Sequence, residues 1–320
     1  IQSISQIYIV ACGSAWHVGM VAQYVIEDLA KIPVRVELAS EFRYRKPLLD
    51  KNGLVILISQ SGETADTLAA LREAKNRQVK TLAIVNVVGS SIAREADNVF
   101  YTLAGPEISV ATTKAYSAQL IAAYTLALQF AKERNEIEMS EYEKLIKELD
   151  TLPDKIQEVI DNQEEIQKFA AKQAAAKDVF FIGRGIDYAV SLEGSLKLKE
   201  ISYIHSEAYA AGELKHGTIS LIEDGTLVIG VLTQDELYEK TISNMVECKS
   251  RGAYLMGLTT YGNYTVEDTA EFTVYVPKTD AHFMASLAVV PLQMLGYYVS
   301  VAKGLDVDKP RNLAKSVTVE

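Results

Sequence analysis

The segment best suited to chemistry runs from Ser59 to Thr64 and reads Ser-Gln-Ser-Gly-Glu-Thr. It follows an apolar strand-like run and leads directly into a helix predicted to begin at Ala65. Hydroxyl groups, a glycine that admits a ligand close to the backbone, and the unpaired N–H groups of a helix start together favour an anion. The segment therefore predicts a cradle for a phosphate monoester.

The alternative interpretation of this segment is that its residues only cap the helix. Ser61 or Thr64 would then accept a hydrogen bond from a helical N–H group, and Glu63 would lie in the first turn, where a negative charge is favourable. The position of the segment at the end of a predicted strand favours the cradle.

A related loop, Thr233-Gln234-Asp235-Glu236, follows a second apolar run later in the chain. It has two carboxylates where the first loop has Ser61 and Gly62. Negative charges repel a phosphate dianion. We therefore expect only the first of the two loops to bind phosphate.

A second candidate for chemistry begins at Glu193, because Glu193, Lys197 and Glu200 lie four and three residues apart, on one face of a helix. A surface helix carrying ordinary Glu–Lys pairs is the alternative. Residues 204–217 have little apolar periodicity and many small side chains, which favours a turn that lines a pocket.

Other common kinds of site are not predicted. The chain has no phosphate-loop motif with a Gly-Lys-Ser/Thr ending, and Gly183-Arg184-Gly185 is too short for a dinucleotide fingerprint. Cys12 and Cys248 form no Cys-x-x-Cys pair, and the histidines lack the spacing of a zinc site. We therefore predict no metal and no other cofactor. The histidines are His17, His205, His216 and His282.

The elements that must position these residues show an internal repeat. Four apolar strand-like runs recur in the same order at an offset of about 173 residues, each accompanied by a helix-like stretch. Such a pattern predicts an α/β protein that arose by duplication. The pairs are Ile7 to Val10 with Val179 to Ile182, Val55 to Ser59 with Val228 to Leu232, Leu82 to Asn86 with Leu255 to Thr259, and Asn98 to Thr102 with Glu271 to Tyr275.

Continuous apolar strands separated by amphipathic helices predict a parallel sheet with helices on both faces. Because the second strand is short and suits an edge, we predict the flavodoxin-like order 2-1-3-4-5. Ligands of such sheets bind at the carboxyl ends of strands one and three, where the order reverses. The predicted strands of the first half are Ile7 to Ala11, Val34 to Leu38, Leu54 to Ser59, Thr81 to Val85 and Asn98 to Thr102.

Two further stretches bear on the organisation of the chain. Residues 132–178 are rich in Glu, Lys, Gln and Ala, with Pro153 as the main interruption, which indicates exposed helices rather than a flexible linker.

The run from Met284 to Ala302 is uncharged and long enough to span a membrane. Its proline, glutamine and serines instead favour a helix buried between domains or subunits.

Composition restricts the class of protein. The chain has 320 residues, of which 48% are hydrophobic and 23% charged, and its formal net charge is −10. This length predicts two domains. The negative charge argues against binding to nucleic acids or anionic membranes, so a soluble cytoplasmic protein is expected.

Four phrases of the sequence resemble one enzyme family: SQSGET at 59–64, ASEFRYR at 39–45, LKLKEISYIHSEAYAAGELKHG at 196–217, and the ending PRNLAKSVTVE at 310–320. They are similar to the isomerase half of the glucosamine-6-phosphate synthase family, also called glutamine:fructose-6-phosphate aminotransferases. The resemblance implies two flavodoxin-like sugar-isomerase (SIS) domains and a catalytic tail. Their expected limits are 1–140 for the first, phosphosugar-binding domain, 141–305 for connecting helices and the second domain, and 306–320 for the tail.

The same resemblance implies that fructose 6-phosphate is opened, aminated at C2 by ammonia, and isomerised to glucosamine 6-phosphate by moving a proton from C1 to C2. By this resemblance, Glu200 transfers the proton and Lys197 stabilises the charge that develops. His216 opens the sugar ring and is contributed across the interface of a homodimer. Lys315 forms an imine with the open sugar. The implied substrate-binding residues are Gly13, Ser14, Ser59, Gln60, Ser61, Thr64, Val110 and Thr112.

These roles carry chemical expectations. A base such as Glu200 works best when burial raises its pKa toward the working pH. Imine formation needs a neutral amine, so Lys315 is expected in a desolvated or cation-rich setting, with Arg311 as a source of charge.

The chain also departs from the family's usual pattern. Ser14 followed by Ala15 stands where the family commonly has threonine followed by serine or alanine, and Thr218 stands where a proline is usual. The full-length family enzyme carries an N-terminal glutaminase domain as a partner, whereas this chain starts its first strand almost at once, so glutamine hydrolysis is not expected. The alternatives are an amino-sugar-phosphate deaminase or deglycase on the same scaffold, and a non-catalytic phosphosugar sensor.

Overall fold

The computed structural model describes residues 1–319, and Glu320, the last residue of the predicted tail, lies outside the described residues. The described chain forms two compact units. The first unit comprises Ile1–Ile146 together with the tail from Asn312 onward, and the second unit comprises Lys147–Arg311.

The first unit is built on a parallel sheet of five strands in the order β2-β1-β3-β4-β5. The predicted order is therefore confirmed. Both β1 and β3 are buried along their whole length, as their uninterrupted apolar sequences require. The strands are β1 (Ile7–Ala11), β2 (Val34–Leu38), β3 (Leu54–Ser59), β4 (Lys80–Val85) and β5 (Asn98–Tyr101).

Helices cover both faces of this sheet. Alternate strand residues such as Tyr8 and Leu57 pack into one core with Phe42 and Leu71 from the helices of that face. On the opposite face, helix α1 approaches so closely that a Cβ on Gly19 would lie 2.9 Å from Ile9 Cγ2. The helices are α1 (Gly13–Ala30), α2 (Ala39–Phe42), α3 (Ala65–Asn76), α4 (Ser91–Glu95) and α5 (Lys114–Glu133).

The second unit repeats the same parallel topology, with the order β10-β9-β8-β6-β7. Its edge strand β7 was not predicted, because its sequence HSEAYA is polar and made of small residues. The expectation of a turn over 204–217 is wrong for this part, since β7 pairs with β6 along six residues. The strands are β6 (Asp178–Gly183), β7 (His205–Ala210), β8 (Leu227–Leu232), β9 (Tyr254–Thr260) and β10 (Phe272–Val276).

The stretch predicted to be helical rather than a flexible linker does form helices, and helix α6 (Met139–Asp161) runs through Pro153 without a break. One proline removes a single hydrogen bond from the helix. Leu145, Leu152 and Val159 are all buried at a regular spacing of seven residues, and this apolar stripe keeps both sides of the proline in register.

Helix α10 (Met284–Ala302) accounts for the long apolar run. Within the described residues, Ala281–Ala302 is the helix long and apolar enough to cross a membrane, and 72% of its most apolar window is buried in the structure. It packs against helices α7 and α8 of the second unit. A Cβ on Gly194 of α8 would lie 2.6 Å from Leu292, so glycine permits this close contact. The prediction of a buried helix is confirmed, although these contacts lie within the second unit, and burial between domains or subunits stays a prediction. The remaining helices are α7 (Glu164–Gln173), α8 (Ile186–Ser202) and α9 (Tyr238–Lys249).

Candidate active site

The loop after β3 is organised by its own hydroxyl groups. Ser59 Oγ accepts a hydrogen bond from the Gly62 N–H group at 3.0 Å and lies 3.0 Å from Thr64 Oγ1. Ser61 Oγ accepts from the Glu63 N–H group at 3.2 Å. The loop thus gathers its hydroxyls at the carboxyl end of a central strand, as a phosphate cradle requires.

The capping interpretation of this loop is wrong. Thr64 occupies the N-cap position of α3, but its side chain makes no capping hydrogen bond. Glu63 lies before the helix, and its carboxylate accepts a hydrogen bond from the Ser91 N–H group at 2.8 Å, at the start of α4. The hydroxyls are therefore not committed to holding the end of α3.

Gly62 is required by the shape of this loop. Its φ of +68° lies in the left-handed region, which side chains other than glycine adopt at a cost. A Cβ at this position would also lie 2.0 Å from Ser90 Oγ. Glycine therefore allows the loop to turn tightly against the segment that follows β4.

The C-terminal tail lies on the same loop. The Val317 carbonyl accepts a hydrogen bond from the Ala65 N–H group at 3.1 Å, at the first residue of α3. Ser316 Oγ lies 3.1 Å from Ser61 Oγ, although the two serines are 255 residues apart in sequence. Ser316 and Val317 were not predicted as site residues; their position beside Lys315 was the available signal.

Lys315 is the third anchor of the tail. Its Nζ donates a hydrogen bond to the Ser109 carbonyl at 2.6 Å and lies 3.7 Å from the Glu107 carboxylate. We expected a desolvated or cation-rich setting for this amine, whereas its side chain is 30% exposed and lies beside a carboxylate. Arg311, the expected source of positive charge, instead stacks on the ring of Tyr203 at 4.2 Å within the second unit.

The other predicted substrate-binding residues of the first unit lie in loops or at a helix start. Gly13 begins α1 with a φ of +56° and has no atom within 4 Å of where a Cβ would be, so its backbone is open to a ligand. Ser14 follows it and is buried. The Gln60 carbonyl accepts from the Asn86 N–H group at 3.2 Å. Val110 and Thr112 lie between β5 and α5, in the segment that holds Lys315.

The second unit places a buried lysine between two carboxylates on α8. Lys197 Nζ lies 2.5 Å from Glu200 and 3.4 Å from Glu193. The side chain of Lys197 is 2% exposed, that of Glu193 is 0% and that of Glu200 is 20%. The surface-helix alternative is therefore wrong. Burial alone lowers the pKa of Lys197, but the charges of Glu193 and Glu200 outweigh it, and the pKa is raised.

His216 lies outside this buried group. It ends the short 3₁₀ helix Leu214–His216 and is exposed to solvent. The Gly217 that follows has a φ of +150°, and Thr218 begins the next 3₁₀ turn, Thr218–Leu221, at the position where the family usually has proline.

Asp187 shows why the second loop differs from the first. This buried carboxylate on α8 accepts hydrogen bonds from the N–H groups of Thr233 and Gln234 at 2.8 and 3.2 Å, and from the Thr233 hydroxyl. The loop's donors are thus already satisfied by the chain itself, while Asp235 and Glu236 face solvent. The sequence signal was the place of Asp187 in the first turn of α8, matching Ser14 in the first turn of α1.

A cavity of about 540 Å³ in the first unit lies away from these groups. Its lining includes Leu54, Lys80 and Asn98, which stand at the amino ends of their strands. The hydroxyl loop lies at the opposite, carboxyl ends. Because ligands of doubly wound sheets bind at carboxyl ends, we locate the candidate site at the loops and not in this cavity.

Comparison with known families agrees with this geometry. The family model of the SIS domain matches residues 1–129 and 174–303, one match for each half of the repeat. This chain belongs to the SIS domain family. The two SIS domain matches correspond to the two parallel sheets, so the predicted duplication and the predicted fold class are confirmed.

Relatives of this SIS domain chain are named for reactions of phosphosugars. It is 59% identical over its whole length to the isomerizing glutamine–fructose-6-phosphate aminotransferase of Clostridium tetani, of which it spans 52%. The C-terminal domain of the glucosamine-fructose-6-phosphate aminotransferase of Francisella tularensis is 39% identical, with a TM-score of 0.92, over 96% of this chain and 88% of that one. The resemblance inferred from the sequence is confirmed.

A second solved structure carries a different activity in its name. The glucosamine-6-phosphate deaminase of Thermotoga maritima is 27% identical to this chain, with a TM-score of 0.77. The match covers 98% of this chain and 90% of the deaminase. The SIS domain scaffold is therefore shared by enzymes with different names.

Replacing Gly62 with alanine tests the shape of the loop. Gly89→Ala is the matched control, because Gly89 has a similar φ of +74° but no atom within 4 Å of its would-be Cβ. Both variants should lose about 1 kcal/mol or more from left-handed strain. The Ser90 contact should destabilise Gly62→Ala by about 1–3 kcal/mol more in urea unfolding. Equal losses in the two variants would show that Ser90 moves aside freely.

Replacing Asp187 with asparagine tests the buried carboxylate. Burial raises the pKa of Asp187 from 3.8 to about 6, so between about pH 4 and pH 6 the folded protein binds a proton that the unfolded chain does not. The stability from this group is greatest below that window and is lost as the pH rises through it. The free energy of unfolding of the wild type relative to Asp187→Asn should thus rise on acidification, by up to about 3 kcal/mol.

Urea unfolding of both proteins at several pH values measures this difference. Asp235→Asn is the control, because it removes the same charge from an exposed position in the adjacent loop. A pH dependence of the same size in Asp235→Asn would show that the effect does not come from the burial of Asp187. A constant difference between wild type and Asp187→Asn would contradict the assignment.

Proposed function

We propose that this chain is the sugar-phosphate isomerase part of a glucosamine-6-phosphate synthase, converting fructose 6-phosphate and ammonia to glucosamine 6-phosphate. The observation that carries the proposal is the docking of the tail. Lys315 and Ser316, neighbours near the end of the chain, contact the two loops that extend from β5 and β3. An amine able to form an imine and hydroxyls able to bind phosphate thus share one end of the first sheet.

The phosphate of the sugar binds to the hydroxyl loop in this proposal. Ser59, Ser61 and Thr64 supply hydroxyl donors, and the start of α3 supplies a favourable electrostatic potential for an anion. The N–H groups of Thr233 and Gln234, the corresponding donors in the second unit, already bind Asp187, so the proposal uses one phosphate site per chain.

Lys315 forms the covalent intermediate. Its amine attacks the C2 carbonyl of the opened fructose 6-phosphate, water leaves, and an iminium joins Nζ to C2. The iminium withdraws electrons from C1 and makes a C1 proton easier to remove. Ammonia then replaces Lys315 at C2 and releases the enzyme.

Glu200 is proposed to carry the proton from C1 to C2. A carboxylate that faces a buried ammonium is held in place and is able to accept a proton. Lys197 stabilises negative charge that develops on the sugar as the proton leaves. Glu193, buried on the other side of Lys197, keeps that ammonium oriented.

His216 opens the sugar ring in this proposal, and its exposure is consistent with a contribution to the site of a second copy in a homodimer.

The relatives' names also suggest the source of ammonia. The chain spans about half of the Clostridium tetani enzyme, which is named for glutamine. We propose a cytoplasmic enzyme that works with a glutaminase domain.

An amino-sugar-phosphate deaminase is the second candidate, favoured by the match to the Thermotoga maritima deaminase. It would run related chemistry from glucosamine 6-phosphate to fructose 6-phosphate. The two candidates share the imine and the proton transfer, and the net direction of turnover distinguishes them.

Trapping with borohydride tests the imine. Wild-type protein incubated with fructose 6-phosphate and borohydride should gain one sugar phosphate per chain, located on Lys315 by peptide mass spectrometry. Lys315→Ala should gain none. Lys309→Ala is the control, because it removes another lysine near the end of the chain that is exposed to solvent. A full adduct yield in Lys315→Ala would refute the role of Lys315.

A further inference from the structure

Glu107 has a buried side chain in the loop that follows β5. Its side chain is 4% exposed, while its neighbour Ile108 is largely exposed to solvent. An ionised carboxylate with so little contact with water needs strong partners, because the loss of hydration disfavours the charge. Its partners therefore indicate what it does.

Those partners are of two kinds. One set holds the loop: the Thr113 N–H group donates to the Glu107 carboxylate at 2.6 Å, and the hydroxyl of Thr112 donates as well. The other partner is the Lys315 amine at 3.7 Å. Glu107 thus links the segment that contains Val110 and Thr112 to the lysine of the tail.

We propose that Glu107 is a positioning residue for Lys315 and the counter-ion that balances its positive charge before and after imine formation. The inference rests on the proposed imine role of Lys315. An ammonium and a carbonyl give an iminium and water, so the nitrogen carries one positive charge at both ends of the step. The Glu107 carboxylate lies beside the nitrogen and can stabilise both states.

Among the described residues of the loops that contact the tail, Glu107 is the acid beside Lys315. Residues 102–113, which form the loop after β5, contain no charged residue other than Glu107. In the loop after β3, the Glu63 carboxylate is bonded to the Ser91 N–H group. Lys315 is the charged residue of the described tail from Asn312 to Val319.

Glu107→Gln is the test variant, because it removes the charge and keeps the shape. The glutamine oxygen can still accept from the Thr113 N–H group, and the hydroxyl of Thr112 can reverse its role and accept from the amide. Glu107→Asp keeps the charge on a shorter side chain. Glu95→Gln is the control, since it removes a carboxylate that pairs with Arg72 at the surface of the same unit.

The first measurement is the pH dependence of acetylation of Lys315 by acetic anhydride without sugar, followed by mass spectrometry of the tail peptide. Only the neutral amine reacts. A carboxylate at this distance favours the ammonium, so the midpoint should fall by about one pH unit in Glu107→Gln. Glu95→Gln should match the wild type, and Glu107→Asp should recover most of the wild-type value. The same midpoint in all four proteins would overturn the proposal.

The second measurement is the yield of the borohydride-trapped adduct at a pH above both acetylation midpoints, where the free amine is neutral and only the iminium is charged. Loss of the counter-ion should then reduce the yield about tenfold in Glu107→Gln, in line with a change of one pH unit. If wild-type protein gives no adduct on Lys315, the proposed function fails. If the wild type gives the adduct and Glu107→Gln gives the same yield, this inference alone fails.

Discussion

Parallel pairing of β1 with β3 is the constraint on which the arrangement of the first unit depends. Residues from Ile7 to Ala11 pair in register with Leu54 to Ile58, so both strands end at the same edge of the sheet. Gly13 and the hydroxyl loop must then emerge side by side, and β5 brings the segment containing Glu107 to the same edge. The tail needs only to reach this edge for its lysine to join the hydroxyls.

The two copies of the fold use this edge in opposite ways. In the first unit the loop after the central strand presents hydroxyls and receives the tail. In the second unit the Asp187 carboxylate is bonded to the equivalent loop, and the raised pKa of this buried acid indicates that its ionised form lowers stability at neutral pH. That interaction fixes one end of α8, the helix that carries Lys197 and Glu200.

The sequence contained enough information to predict the strand order. Apolar runs reveal buried strands, and the internal repeat shows the same order of strands twice. The sequence was less informative about residues whose secondary structure or burial depends on contacts with residues distant in the chain. The edge strand β7 has no apolar pattern, and the depth of Lys197 depends on the packing of α8 against other elements. Glu107 was missed because a single acid in a loop has no distinguishing pattern until the tail is seen beside it. Asp187 resembled an ordinary acid in a first helical turn.

The central claim is that the chain moves a proton between C1 and C2 of fructose 6-phosphate. Proton NMR of this sugar in heavy water with the protein, with and without ammonium, tests it directly. The account predicts exchange at C1 without ammonium, formation of glucosamine 6-phosphate with it, and loss of both in Glu200→Gln by at least about a hundredfold. Binding of the sugar with no exchange at C1 in the wild type would contradict the account and favour a sensor.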